Sequence, residues 1–250
     1  MTAEEMKRRF PFQKNTGNKR CVLLCFHHAG GSAVIFKDWV KFDFPFEVIP
    51  VEIPGRGTRQ GENCITDFGT AVRNLAEDVR AVYEDRKLCL FGHSLGSIIA
   101  FEVAGRLREY DIDIKKLFVA GRVSPDREEP SSYRCAMGME RLKEELLRIG
   151  ATPQEVLDDA GFNREFLPMI YSDYMLSEDY RYGDTKVDFP IIAFNGTEDP
   201  DADMDMMRGW RNMTDGEFRQ YQFDGSHFFP YEKEGKKLLK TIYKEIMMVE

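Results

Sequence analysis

A chain of 250 residues, 42% hydrophobic and 31% charged, has the composition of one soluble α/β domain large enough to bury its own core. Its net charge of −8 and pI near 5.2 argue against a nucleic-acid partner, and no apolar stretch approaches the ~20 residues that span a bilayer. Five cysteines without a C-x-x-C pair, and a charged start from Met1 to Phe10 without an apolar run, fit a reducing, cytoplasmic compartment with no disulfide framework and no signal peptide.

In chain order, residues 7–20 are locally basic through Lys7, Arg8, Arg9, Lys14, Lys19 and Arg20. A short charge run of this kind reads first as a solvated arm and second as a docking edge for an acidic partner. Short apolar runs bounded by turn residues follow at 21–26 (CVLLCF), 46–53 (FEVIPVEI), 87–91 (KLCLF), 116–120 (KLFVA) and 189–194 (FPIIAF), with a more polar one at 218–223 (FRQYQF). The continuous runs predict strands buried on both faces, where Cys21, Cys25 and Cys89 pack as small hydrophobes. Pro50 and Pro190 suit a strand end or an edge. Between these runs, 66–85 places Phe68, Val72, Leu75, Val79 and Val82 on one helical stripe, and 95–108 and 231–248 also read as helices. Strand–helix alternation predicts a mainly parallel sheet with helices on both faces.

Residues 122–187 break that rhythm. They carry no convincing buried strand and instead predict helices over 139–149 and 164–176, with Thr152-Pro153-Gln154-Glu155 as an N-cap, a first-turn proline and an N3 glutamate. The expectation is a single domain over 1–250, with 122–187 a helical lid. Leu167, Met169, Ile170, Met175 and Leu176 would line an acyl pocket or pack the lid onto the sheet.

The chemistry concentrates at Gly92-His93-Ser94-Leu95-Gly96, a G-x-S-x-G placed directly after the strand KLCLF and directly before a helix. A tight strand-to-helix turn with small flanking residues presents a strained serine, and the helix N-terminus favours developing negative charge. Ser97 competes as a hydroxyl but falls inside the helix. Serine needs a base. Of the four histidines, His27, His28, His93 and His227, only His227 follows Ser94, as the order Ser–acid–His of the α/β-hydrolase fold requires. The acid should follow a strand and precede His227. Asp199 in Asn195-Gly196-Thr197-Glu198-Asp199 fits, with Glu198, Asp201 and Asp203 as neighbours that remain open. The oxyanion hole needs two backbone N–H groups, one from Leu95 after the nucleophile and one from Ala29 in His28-Ala29-Gly30-Gly31-Ser32, which follows the first strand. His28 would orient or cap that loop.

With these residues in place the chain resembles, over nearly its whole length, the type II thioesterases. These stand-alone editing enzymes accompany nonribosomal peptide and polyketide synthases. HAGGS (28–32) looks like the family's oxyanion loop, PGRGTR (54–59) like its proline-glycine-arginine segment, and GHSLG (92–96) like its elbow. TPQEVL (152–157) and FLPMIYSDYMLSEDYRY (166–182) resemble its lid. FPIIAFNGTEDP (189–200) and GSHFF (225–229) resemble its acid and histidine segments. The resemblance places the family's triad on Ser94, Asp199 and His227 and its oxyanion amides on Ala29 and Leu95. His27 stands where proline is more usual and Leu95 where methionine is common; both change side chains, not the backbone donors.

The resemblance implies acyl groups on the phosphopantetheine arm of acyl or peptidyl carrier proteins as substrate, a monomeric enzyme, and no metal or cofactor beyond that arm. The alternatives are a medium-chain fatty-acyl thioesterase working with a fatty acid synthase, a general carboxylesterase, and a non-catalytic relative that only binds carriers.

Overall fold

Alternation of side chains along the buried runs decides the architecture. In the computed structural model, which describes residues 1–13 and 21–248, the strands are β1 (Cys21–Phe26), β2 (Glu47–Pro50), β3 (Lys87–His93), β4 (Ile114–Ala120), β5 (Ile191–Gly196) and β6 (Phe218–Phe223). They form one sheet in the order β2-β1-β3-β4-β5-β6, with every neighbouring pair parallel. Every residue of β1 and β5 is buried. Successive side chains of a strand point to opposite faces, so Val22, Leu24 and Phe26 enter one core and Cys21, Leu23 and Cys25 enter another. Pro50 closes the edge strand β2, and Pro190 stands just before β5, where neither removes a ladder hydrogen bond.

The helices are α1 (Ala3–Arg9), α2 (Phe68–Tyr83), α3 (Leu95–Arg108), α4 (Met139–Arg148), α5 (Gln154–Leu157), α6 (Ala160–Glu165), α7 (Leu167–Asp179), α8 (Met204–Met207) and α9 (Gly235–Met247). α2 buries Leu75 and Val79 with α3 on one face of the sheet, and α9 buries Leu238, Leu239 and Ile242 on the other. The mainly parallel, doubly covered sheet expected of an α/β-hydrolase is the fold observed. Its strand order reverses between β1 and β3, the point where the following loops diverge and open a crevice.

Several elements depart from the sequence reading. The start of the chain is not simply a solvated arm. Thr2 and Glu5 form a capping box on α1, Arg8 pairs with Glu62 at 2.9 Å and Arg9 with Asp78 at 2.7 Å, and Phe10 is buried. Lys14, Lys19 and Arg20 lie outside the described residues. Thr152 does not cap a helix. Its N–H goes back to Leu146 O at 3.4 Å in the turn that ends α4, so α5 starts one residue later, with Pro153 at its cap and no side-chain hydrogen bond. The helix expected over 164–176 is broken at Phe166, which ends α6 and begins α7 with Pro168 in the first turn, a position that tolerates proline. The last helix starts at Gly235, because Phe229–Tyr231 forms a separate 3₁₀ turn.

The insertion between β4 and β5 has a small core of its own: Leu142, Leu146, Leu157, Leu167 and Ile170 bury one another, with Met169 packed alongside. Leu176 belongs to the main core, and Met175 faces solvent. None of the five apolar residues considered for an acyl pocket lines the cavity described below; Leu167, Met169 and Ile170 pack in the core of the insertion and Leu176 in the main core.

Candidate active site

Ser94 sits between β3 and α3 at φ 54° and ψ −121°. A non-glycine residue held at positive φ stores strain of order 1–3 kcal/mol, and the surrounding glycines let the structure enforce it. A Cβ on Gly92 would lie 2.1 Å from Gly96 O, and one on Gly96 would lie 2.3 Å from Phe26 O. Both positions therefore require glycine, Gly92 so that the turn can close on the start of α3 and Gly96 so that α3 can approach β1. Ser94 N–H donates to Ala120 O at 2.8 Å. The competing hydroxyl, Ser97, is fully buried and bridges Gly92 O and Ala120 O at 2.9 and 3.0 Å; it braces the elbow from beneath.

His227 lies in the loop after β6. Its Nδ1–H donates to Asp199 Oδ2 at 2.9 Å, and both side chains are almost wholly buried. Asp199 Oδ1 accepts the Asp201 N–H at 3.0 Å. The other carboxylates considered are engaged elsewhere or exposed: Asp201 pairs with Arg148 at 2.5 Å, Asp203 caps α8, and Glu198 faces solvent. The acid and histidine loops are tied together by Glu198 N–H to Gly225 O at 2.9 Å and by Gly225 N–H to Thr197 Oγ1 at 3.2 Å. Ser226 Oγ donates to Glu232 at 2.5 Å and accepts the Phe228 N–H, which stiffens the histidine loop.

Ser94, Leu95, Ala29 and His227 line one cavity of about 620 Å³, so sequence-predicted residues from three separate segments converge. Among the described residues no hydrogen bond joins Ser94 Oγ to His227, and such contacts commonly tighten only with substrate bound. The segment between β4 and β5 roofs the cavity with Tyr133, Glu145, Leu146, Tyr174 and Tyr180.

All four histidines of the chain gather here. His93 donates from Nε2 to His227 O at 2.8 Å, and burial, with the neighbouring His227 and His28, holds it well below its usual pKa. Burial, reinforced by the Arg56 charge, lowers His27 to about 3. His28, packed between His93 and Phe228 at ring distances of 5.3 and 5.1 Å, is lowered to about 3 by burial and by the charges of His27 and His227.

Reading the residues alone missed two partners: Arg56, which sits in PGRG, and Asp173, which sits in α7. They form a buried bidentate ion pair. A lone arginine and a lone aspartate 117 positions apart carry no spacing signal of their own.

The thioesterase domain family model matches residues 22–246. The chain is 32% identical over 219 residues to the thioesterase PikA5 of Streptomyces venezuelae, covering 85% of this chain and 76% of that protein. It is 31% identical over 232 residues to a Brevibacillus parabrevis protein named linear gramicidin dehydrogenase LgrE, covering 90% of this chain and 88% of that one. The dehydrogenase name has no counterpart in the turn after β1, where His27-His28-Ala29-Gly30-Gly31 stands in place of the G-x-G-x-x-G of dinucleotide sites. Among solved structures, the type II thioesterase BorB from the borrelidin biosynthetic cluster matches with a TM-score of 0.79 at 31% identity, over 92% of this chain and 93% of that one. The chain belongs to the thioesterase domain family and is a thioester hydrolase on the α/β-hydrolase fold.

Proposed function

We propose that this enzyme hydrolyses acyl groups from the phosphopantetheine arm of acyl or peptidyl carrier proteins of nonribosomal peptide and polyketide synthesis, as a cytoplasmic monomer. The observation that carries the reading is the single cavity in which Ser94, His227 and the backbone of Ala29 and Leu95 meet, in a chain similar to a named type II thioesterase. Ser94 Oγ attacks the thioester carbonyl while His227 Nε2 takes its proton. Asp199 holds the imidazole in the tautomer with hydrogen on Nδ1 and stabilises the imidazolium. The N–H groups of Ala29 and Leu95 donate hydrogen bonds to the developing oxyanion. The imidazolium then returns its proton to the departing pantetheine sulfur, leaving an acyl-serine. Water, deprotonated by the same histidine, releases the acid and regenerates Ser94.

The cavity wall favours short or polar acyl groups over the medium-chain fatty-acyl alternative. Tyr133, Tyr174 and Tyr180 interrupt its apolar lining, as do the Arg122–Glu129 ion pair at 2.5 Å and the carboxylate of Glu145, which Arg148 holds from behind at 2.7 Å. A long alkyl chain would meet polar groups that lose water without gaining a partner.

Kinetics on carrier-bound short acyl thioesters, medium-chain thioesters and simple oxygen esters test the reading. The highest kcat/KM should fall on the first, and Ser94→Ala should lower kcat by several orders of magnitude, on the scale of about 10⁶ in a serine protease. Equal efficiency on oxygen esters would make the protein a general esterase. Near-normal turnover by Ser94→Ala would remove Ser94 from the mechanism.

A further inference from the structure

Asp173 is 1% exposed on α7, the helix that roofs the site, yet its carboxylate bonds entirely outside its own helix. Oδ1 accepts from Arg56 Nη2 and Oδ2 from Arg56 Nη1, each at 2.5 Å. Oδ2 also accepts the backbone N–H of Gly30 at 2.7 Å. Arg56, itself 4% exposed, spends Nη1 a second time on Gly31 O at 3.2 Å. The pair thus grips both ends of Gly30-Gly31, the two residues directly after Ala29. α7 touches the same spot with Ile170: a Cβ on Gly30, which lies at φ +77°, would be 3.0 Å from Ile170 Cγ1.

Two consecutive glycines have little conformational preference of their own, and the peptide carrying the Gly30 N–H sets ψ of Ala29. The Ala29 N–H belongs to the His28–Ala29 peptide, whose carbonyl accepts the Gly31 N–H at 3.0 Å and the His27 Nδ1–H at 2.8 Å; the ion pair acts on its direction by holding Gly31, the donor that closes this turn. An oxyanion donor works only if it is aimed before the charge forms. A buried ion pair is by itself weak evidence of stabilisation, since apolar residues of similar volume often serve as well; its contacts to this loop give it a second role.

We infer that Asp173 and Arg56 are positioning residues for the oxyanion loop: they fix Gly30-Gly31 so that the Ala29 N–H faces the carbonyl oxygen held at Ser94, and they do so only while α7 is seated. The inference rests on the proposed roles of Ala29 and Ser94. It makes the roof part of the catalytic apparatus: lifting α7 to admit an acyl group disassembles the oxyanion hole, and hydrolysis waits for its return.

The double variant Arg56→Met/Asp173→Leu replaces the pair with apolar side chains and removes the clamp. It should keep the wild-type circular dichroism spectrum and a similar thermal midpoint. Its kcat should fall about 10- to 100-fold, the scale of one weakened oxyanion donor, with KM within about threefold. A trifluoromethyl ketone that forms a tetrahedral adduct on Ser94 should lose affinity by the same factor as kcat, while an unreactive thioether analogue of the substrate should bind unchanged. A folded double variant with wild-type kcat overturns the inference, as does equal weakening of both analogues.

If the double variant fails to fold, Asp173→Asn, which keeps the volume, is expected to show the same kcat-selective loss; full turnover would overturn the inference. In the unmodified protein, the Gly30 amide should exchange hydrogen no faster than the amides of α7, and markedly faster exchange overturns it. Ser94→Ala serves as the control: retained activity there would defeat the triad reading itself, whereas an inactive Ser94→Ala beside fully active clamp variants would defeat only the clamp.

Discussion

The Asp199–His227 contact shows how much chemistry one hydrogen bond directs. Asp199 accepts from Nδ1, which leaves Nε2 as the lone-pair nitrogen facing the cavity that Ser94 lines. Replacing Asp199 by Asn keeps the shape of the side chain but offers an N–H where an acceptor is needed. The fold should survive and kcat should fall by up to roughly 10⁴, as for the same change in a serine protease. A mild effect at Asp199, beside a severe one at Asp201 or Glu198, would move the acid to another carboxylate.

The pH dependence follows from the other three histidines. His27 and His28 are lowered to about 3, and His93 lies well below its usual value, so none of them changes charge near neutrality. A base must be neutral to accept the serine proton. With acylation limiting, kcat/KM should therefore rise with pH through a single ionisation, that of the base. Stopped-flow rates from pH 5 to 8 would check this, and a flat profile would remove His227 from the role of base.

At the scale of elements, legibility tracked the length of the physical signal. β1, buried at every position, and the elbow between β3 and α3 could be located from sequence, because a continuous apolar run followed by G-x-S-x-G has few other structural solutions. The acid loop was legible because chain order and a preceding strand narrowed the choice, although only the fold separates Asp199 from Glu198 and Asp201. The roof was read as helical, but its internal breaks were not. Phe166 between α6 and α7 and the late start of α5 depend on how short helices share a turn. Which residues line the pocket stayed open for a related reason: helical periodicity shows that Leu167, Met169, Ile170, Met175 and Leu176 are apolar, not which neighbour they face. Leu167 and Ile170 cluster with Leu142 and Leu146, while Leu95, Leu146, Ile149, Phe228, tyrosines and charged side chains line the cavity. The Arg56–Asp173 clamp joins the loop after β2 to α7, and pairing across such a separation is a property of the fold alone.

Across the whole molecule, gathering uncharged histidines beneath the site makes stability depend on acidity. His27 and His93 have no exposed surface. His27 gives its Nδ1–H to His28 O at 2.8 Å, and His93 gives its Nε2–H to His227 O; the second nitrogen of each ring has no hydrogen-bond partner among the described residues. Both are therefore neutral in the folded chain and take up a proton on unfolding once the pH drops below the ordinary value of 6.5. Their folded pKa is depressed, so the unfolded state binds more protons in that window. Stability is complete above pH 6.5 and is lost progressively toward the folded value, about 3 for His27. Each group removes at most about 1.4 kcal/mol per pH unit. Glu52, Asp78 and Glu102, raised by burial from ordinary values of 4.5, 3.8 and 4.5, act in the opposite sense, because the folded protein binds their protons first, whereas the histidines act from pH 6.5 downward. Urea unfolding should therefore give a lower free energy at pH 5 than at pH 7. In His27→Asn, whose amide N–H is available to His28 O, the slope should flatten by up to about 1.4 kcal/mol per pH unit. A wild-type stability unchanged between those two pH values would show that these imidazoles gain no proton on unfolding, and would count against the uncharged histidine cluster.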